Sequence, residues 1–142
     1  MRWKNIKPSH YFKDPVIHIY SQTIFDVKEY DRLYENQNNL AHQSWHEFDE
    51  KYRTGYEFKE KFQDIDFNRE VICLWFFKER SDRTASYVNV AGKELTYLPN
   101  TFLITKSKEL SFVHSKRKYI RNPLLQIDMK LETYNKIVKS FQ

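Results

Sequence analysis

Val71-Ile-Cys-Leu-Trp-Phe-Phe77 is the densest apolar run in the chain, and its reading decides the fold. The run is too short for an ordinary helix and too continuous for a strand with one wet face. A strand apolar on both sides has to be covered on both sides, so the run predicts a buried strand with layers above and below it. Toward the C-terminus the pattern stays β. Lys78 to Arg83 reads as a charged turn. Ser86-Tyr-Val-Asn-Val90 and Glu94-Leu-Thr-Tyr-Leu98 alternate apolar and polar, and Ala91-Gly92-Lys93 between them reads as a hairpin turn in which Gly92 is free to take positive φ. Pro99-Asn100 interrupts the ladder. Thr101-Phe-Leu-Ile-Thr105, Leu110-Ser-Phe-Val-His114 and Leu124-Leu-Gln-Ile-Asp-Met129 follow as strands, with Lys106 to Glu109 as a turn. This succession of short strands predicts a small β-barrel with a polar cluster at its mouth.

Outward from that centre, helices flank the strands. Leu131, Tyr134, Ile137, Val138 and Phe141 share one helical face near the C-terminus. Near the N-terminus, Val27, Tyr30, Leu33 and Tyr34 recur at helical spacing over 27–37, Asp26 is placed to cap the helix, and Asn36 to Asn39 stop it. Before it, Val16-Ile-His-Ile-Tyr20 reads as a strand with Val16, His18 and Tyr20 on one face and Ile17 and Ile19 on the other. His18 is expected to pack with its ring hydrogen-bonded to backbone. Residues 1–14 read as a leader lying on the domain. Residues 40–62 read as an aromatic connection covering the barrel. Within it His42 and His46 stand at i, i+4, as zinc ligands on a helix would, but no third ligand is visibly placed to join them.

Composition sets the limits. A chain of 142 residues is expected to form a single domain, 1–142. The mean hydropathy of −0.80 concentrates the apolar payload in few places. The 11 Phe, 10 Tyr and 3 Trp supply much of it. Only 2 Gly occur, which argues against glycine-rich phosphate loops. The net charge of +5 permits attraction to nucleic acid, an acidic surface or a small acid. The single cysteine, Cys73, excludes an internal disulfide and reads as a buried structural thiol. No apolar run approaches ~20 residues, so no membrane span is expected. The N-terminus lacks the apolar stretch of a signal peptide, and the expected location is cytoplasmic.

Three residues carry the candidate chemistry. Asp64 and Asp66 stand two apart before the central strand, so in extended backbone both carboxylates point to one side. Such a pair repels itself unless a cation or proton lies between. His114, from a strand paired nearby, would add an imidazole, and two oxygen donors with one imidazole suit a divalent ion. The competing reading is a solvated strand start with Arg69 or Lys61 as counter-ions, and His114 as a rim histidine.

The order of these elements resembles the Fe(II)/2-oxoglutarate-dependent oxygenases, especially the prolyl-hydroxylase-like members common in phages and bacteria. Asp14-Pro-Val-Ile-His-Ile-Tyr20 followed by Phe25-Asp-Val-Lys-Glu-Tyr-Asp-Arg-Leu33 is similar to the family's N-terminal part. Asp64-Ile-Asp66 stands where the family has His-x-Asp, Leu98-Pro-Asn-Thr-Phe-Leu-Ile104 resembles the strand before its distal His, and His114 takes that His position. The resemblance covers roughly 14–129 and implies a mainly β (α+β) double-stranded β-helix, a cupin-like jelly roll. It implies Fe(II) at Asp64, Asp66 and His114, and 2-oxoglutarate held by Arg121, or else Arg117. The family's first ligand is His where this chain has Asp64, and Lys78 to Ser86 contains no Gly where members with an intact site have a Gly-Gly-Glu-like turn. These departures imply impaired or lost hydroxylase activity.

Three functions are therefore expected to compete. One is an Fe(II)/2-oxoglutarate oxygenase. Another is a non-catalytic structural or interaction module, such as a virion or assembly component, with a protein partner or a homo-oligomeric contact. The last is a basic nucleic-acid-binding module built on Lys106, Lys108, Lys116, Arg117, Lys118 and Arg121, with Phe112 and Tyr119 interleaved.

Overall fold

The computed structural model describes residues 5–35, 43–44, 67–76, 86–112 and 124–142. Strands are β1 (Tyr11–Phe12), β2 (His18–Ser21), β3 (Gln43–Ser44), β4 (Val71–Phe76), β5 (Ser86–Val90), β6 (Lys93–Tyr97), β7 (Phe102–Lys106), β8 (Leu110–Phe112) and β9 (Leu124–Asp128); helices are α1 (Val27–Glu35) and α2 (Leu131–Lys139). The protein is thus β-rich with two described helices, as its alternating pattern predicts. A larger sheet runs β1-β2-β7-β4-β9-β3 and a smaller one runs β6-β5-β8. Every pairing is antiparallel except that of β3 with β9.

The apolar run explains why the sheets and helices stack as they do. All six residues of β4 are buried. One alternate set, Val71, Cys73 and Trp75, packs with Ile19, Ile104 and Ile127 against Tyr30 of α1 and Tyr134, Ile137 and Val138 of α2. The other set, Ile72, Leu74 and Phe76, packs with Leu103 against Val88 and Val90 of β5, Leu95 and Tyr97 of β6, and Leu110 of β8. The larger sheet therefore lies between a helix layer and the smaller sheet, and β4 is wet on neither face. Cys73 sits in the helix-side core, fully buried, and burial pushes its thiol well up, as a structural thiol requires. The apolar face of α2 is the one its spacing predicts, with Leu131 and Phe141 packed at its edges.

Local signals hold in most places. The amide of Glu29 donates to Asp26 Oδ1 at 2.8 Å, so Asp26 caps α1. Gly92 takes φ of 92° in the β5–β6 turn, and Ala91 beside it also turns positive, at 49°. Two expectations need correction. The N-terminal strand begins at His18 rather than Val16, because among the described residues its partners are β1, which is two residues long and reaches His18, and β7. Val27, expected on the buried face of α1, is 51% exposed. It occupies the first helical position, where the chain has only just turned toward the core, whereas Tyr30 one turn later is buried against Trp75, with the rings edge-on.

Candidate functional site

Antiparallel register places polar side chains along one rim of the larger sheet. Ile72 opposes Thr105 on β7 and Asp128 on β9. Ile19 opposes Ile104, so the next step of that ladder sets His18 opposite Thr105, and Phe12 on β1 opposes His18. In antiparallel strands directly opposite residues share a face. The row Phe12, His18, Thr105, Ile72, Asp128 thus faces the smaller sheet, at the end where β4 begins and β7 and β9 finish. The same alternation puts Val16 and Tyr20 on that face, and both pack against the inter-sheet core.

The smaller sheet answers with Lys93 at the start of β6. Its ammonium lies 4.6 Å from the centroid of the Phe12 ring, a cation–π contact. Phe12 in turn stacks on His18, centroids 5.2 Å apart and planes 13° from parallel. His18 is fully buried, and its Nδ1 lies 2.7 Å from the carbonyl oxygen of Val16. That carbonyl requires a proton on Nδ1, which leaves Nε2 as an acceptor in the neutral ring. Burial first, and the nearby Lys93 ammonium second, push the pKa of His18 down, while the bond to Val16 pulls it the other way. Among the described residues, Nε2 of His18 and Oγ1 of the fully buried Thr105 have no hydrogen-bond partner. At the far end of the row Asp128 pairs with Arg69, at 3.2 Å from Nε to Oδ1 and 3.4 Å from Nη2 to Oδ2. Both side chains are partly exposed, so this pair contributes about 0.2–1 kcal/mol.

Inside the rim, buried side chains of the two sheets pack on one another. The rings of Phe76 and Tyr97 stack with centroids 4.1 Å apart. The Tyr20 hydroxyl donates across the gap to the carbonyl of Thr96 on β6. Burial pushes the Tyr20 pKa up, so the hydroxyl stays a donor at neutral pH.

Asp64, Asp66, His114, Arg117 and Arg121 lie outside the described residues, as do His42 and His46. Arg69, expected with Lys61 as an alternative counter-ion to Asp64 and Asp66, contacts Asp128, while those two acids lie outside the described residues. Among the described residues no three His, Cys, Asp or Glu side chains converge as metal ligands would. His18 packs with its ring bonded to backbone, as expected, yet its grouping with Thr105 and Lys93 was not read from the chain. A signal existed: β7 and β9 each turn polar toward the C-terminal end, at Thr105 and Asp128, and pairing both antiparallel to β4 gathers those ends at one rim. Compared with known protein families, curated proteins and solved structures, the chain finds no match.

Proposed function

We propose that the chain is a double-stranded β-helix resembling the Fe(II)/2-oxoglutarate oxygenases, in which the space between the sheets has been given over to packing, and that it works as an interaction module rather than a catalyst. The order of strands supports the jelly-roll reading. From β4 onward the chain moves from the larger sheet to the smaller for β5 and β6, back for β7, across for β8 and back for β9. In sequence, Asp64 and Asp66 precede the turn that enters β4 at the polar rim.

One observation carries the non-catalytic reading: the buried Phe76 and Tyr97 rings stack between the sheets, which the Tyr20–Thr96 bond also ties together. A cosubstrate with two carboxylates needs room there and a cation to meet it. Among the described residues, those facing the smaller sheet are apolar except for His18, Tyr20, Thr105 and Gln126 and for the charges of Lys93 and Asp128 at the rim. That composition favours packing over a pocket for a small dicarboxylate. Exposed Phe67 and Tyr87 suit binding, where aromatic anchors contribute most.

The test is turnover and metal content together. Protein purified with Fe(II) and 2-oxoglutarate is expected to release no succinate above background, and Asp66→Ala is expected to leave the melting temperature unchanged. Stoichiometric iron with iron-dependent succinate, both lost in Asp66→Ala, would overturn the reading in favour of an oxygenase with ligands at Asp64, Asp66 and His114.

A further inference from the structure

On the helix side of the same end of the molecule, a groove of about 670 Å³ lies between α2, the turn after β7 and the segment leading into β2. Its walls carry Lys13, Lys106, Lys108 and Lys139, opposed by Glu109 alone. Lys13, Lys108 and Lys139 are exposed and Lys106 is half-buried. None of the four has a carboxylate partner among the described residues, where the ion pairs are Arg69–Asp128 and Lys136–Glu132. Val16, Ile17 and Val138 give the lining an apolar part. Four cations around one concavity repel one another and focus a positive field into it, and the field is relieved when an anion enters.

We propose that this groove docks an acidic peptide segment of a partner protein, with apolar side chains on the apolar part of its lining and carboxylates against the lysines. The proposal rests on the reading of the chain as an interaction module and names its surface. Charge complementarity selects an anionic occupant, and the aliphatic part of the lining selects one that alternates carboxylates with apolar side chains. Single-stranded nucleic acid fits less well, because it stacks bases on exposed aromatic rings. The aromatic residue of this groove, Tyr134, is 3% exposed, with its hydroxyl 3.4 Å from the carbonyl oxygen of Ile17. The cations are lysines, point charges without the planar fork that grips phosphate in two bonds. Asn135, exposed on α2 at the groove, offers an amide to the peptide backbone.

Fluorescence anisotropy with a labelled short peptide alternating Glu and Leu tests this. Saturable binding is expected that weakens steeply with added salt. The triple variant Lys106→Glu, Lys108→Glu, Lys139→Glu is expected to lose roughly tenfold or more in affinity, while Lys28→Glu on α1 leaves it unchanged. Circular dichroism of each variant confirms the fold. Absence of saturable binding, equal affinity in the triple variant, or tighter binding of a single-stranded oligonucleotide of equal charge would overturn the proposal. Iron-dependent succinate release would sink the non-catalytic reading and leave the groove result standing; loss of peptide binding sinks the groove and says nothing of turnover.

Discussion

The indole Nε1 of Trp75 donates to Asn100 Oδ1 across 3.3 Å, deep in the molecule. The same oxygen accepts from the Phe25 amide at 3.3 Å, and Asn100 Nδ2 donates to the Phe25 carbonyl at 2.7 Å. Backbone bonds add to this: the Asn100 amide donates to the Phe76 carbonyl and its carbonyl accepts from Ile24. One side chain therefore ties the approach to α1 to the centre of the sheet. Its φ of 76° is in the left-handed region that Asn tolerates better than most residues.

Asn100→Ala is expected to destabilise the fold by about 2–4 kcal/mol, since it removes the side-chain oxygen and amide that bond Trp75 and Phe25 in the interior. Asn100→Gly keeps the backbone angle without the bonds. Chemical denaturation of both separates network from strain: a glycine variant as stable as the wild type would show that the network contributes little.

Phe76→Ala removes a ring stacked between the sheets and is expected to cost about 3–5 kcal/mol. Val27→Ala, at the half-exposed start of α1, is expected to stay within about 0.5 kcal/mol of wild type. Midpoints of urea unfolding check both, and equal effects would contradict the layer assignment.

His18 predicts a pH dependence. Its folded pKa is held below the ordinary 6.5. As pH falls the unfolded chain therefore takes up the proton first. The contribution of His18 is intact above that value and is lost as pH falls through it toward the folded pKa. His18→Asn keeps a donor near the Val16 carbonyl without titrating. Its stability is expected to fall less steeply than that of the wild type between about pH 7 and about pH 5. A slope unchanged by the substitution would refute the assignment.

Gly92→Ala is expected to cost about 1 kcal/mol. A Cβ there would meet nothing within 4 Å, so the whole cost is the positive φ of 92°. Thermal melts check it, and a stabilised variant would mean that the turn relaxes.

Much of the architecture was legible along the chain, because it follows from local rules. The run from Val71 demanded cover on two sides, the Gly92 turn closed a hairpin, Asp26 capped a helix, and of the residues named by spacing near the C-terminus Tyr134, Ile137 and Val138 are buried, with Leu131 and Phe141 partly so. The candidate site was much less legible. Asp64, Asp66, His114, Arg117 and Arg121 lie outside the described residues, and the polar rim of His18, Thr105, Lys93 and Asp128 draws on four strands. Periodicity tells which face a residue takes on its own strand. It does not tell which residue on another strand stands opposite.

What the amino-acid order alone determined is therefore the kind of each element and the face it buries, because backbone sterics and apolar spacing act over a few residues. Register, the meeting of Lys93 with Phe12, the stacking of Phe76 on Tyr97 between the sheets, and the gathering of four lysines around one groove were decided only by the tertiary structure. Those contacts join segments far apart in the chain, and their positions depend on how whole layers pack together.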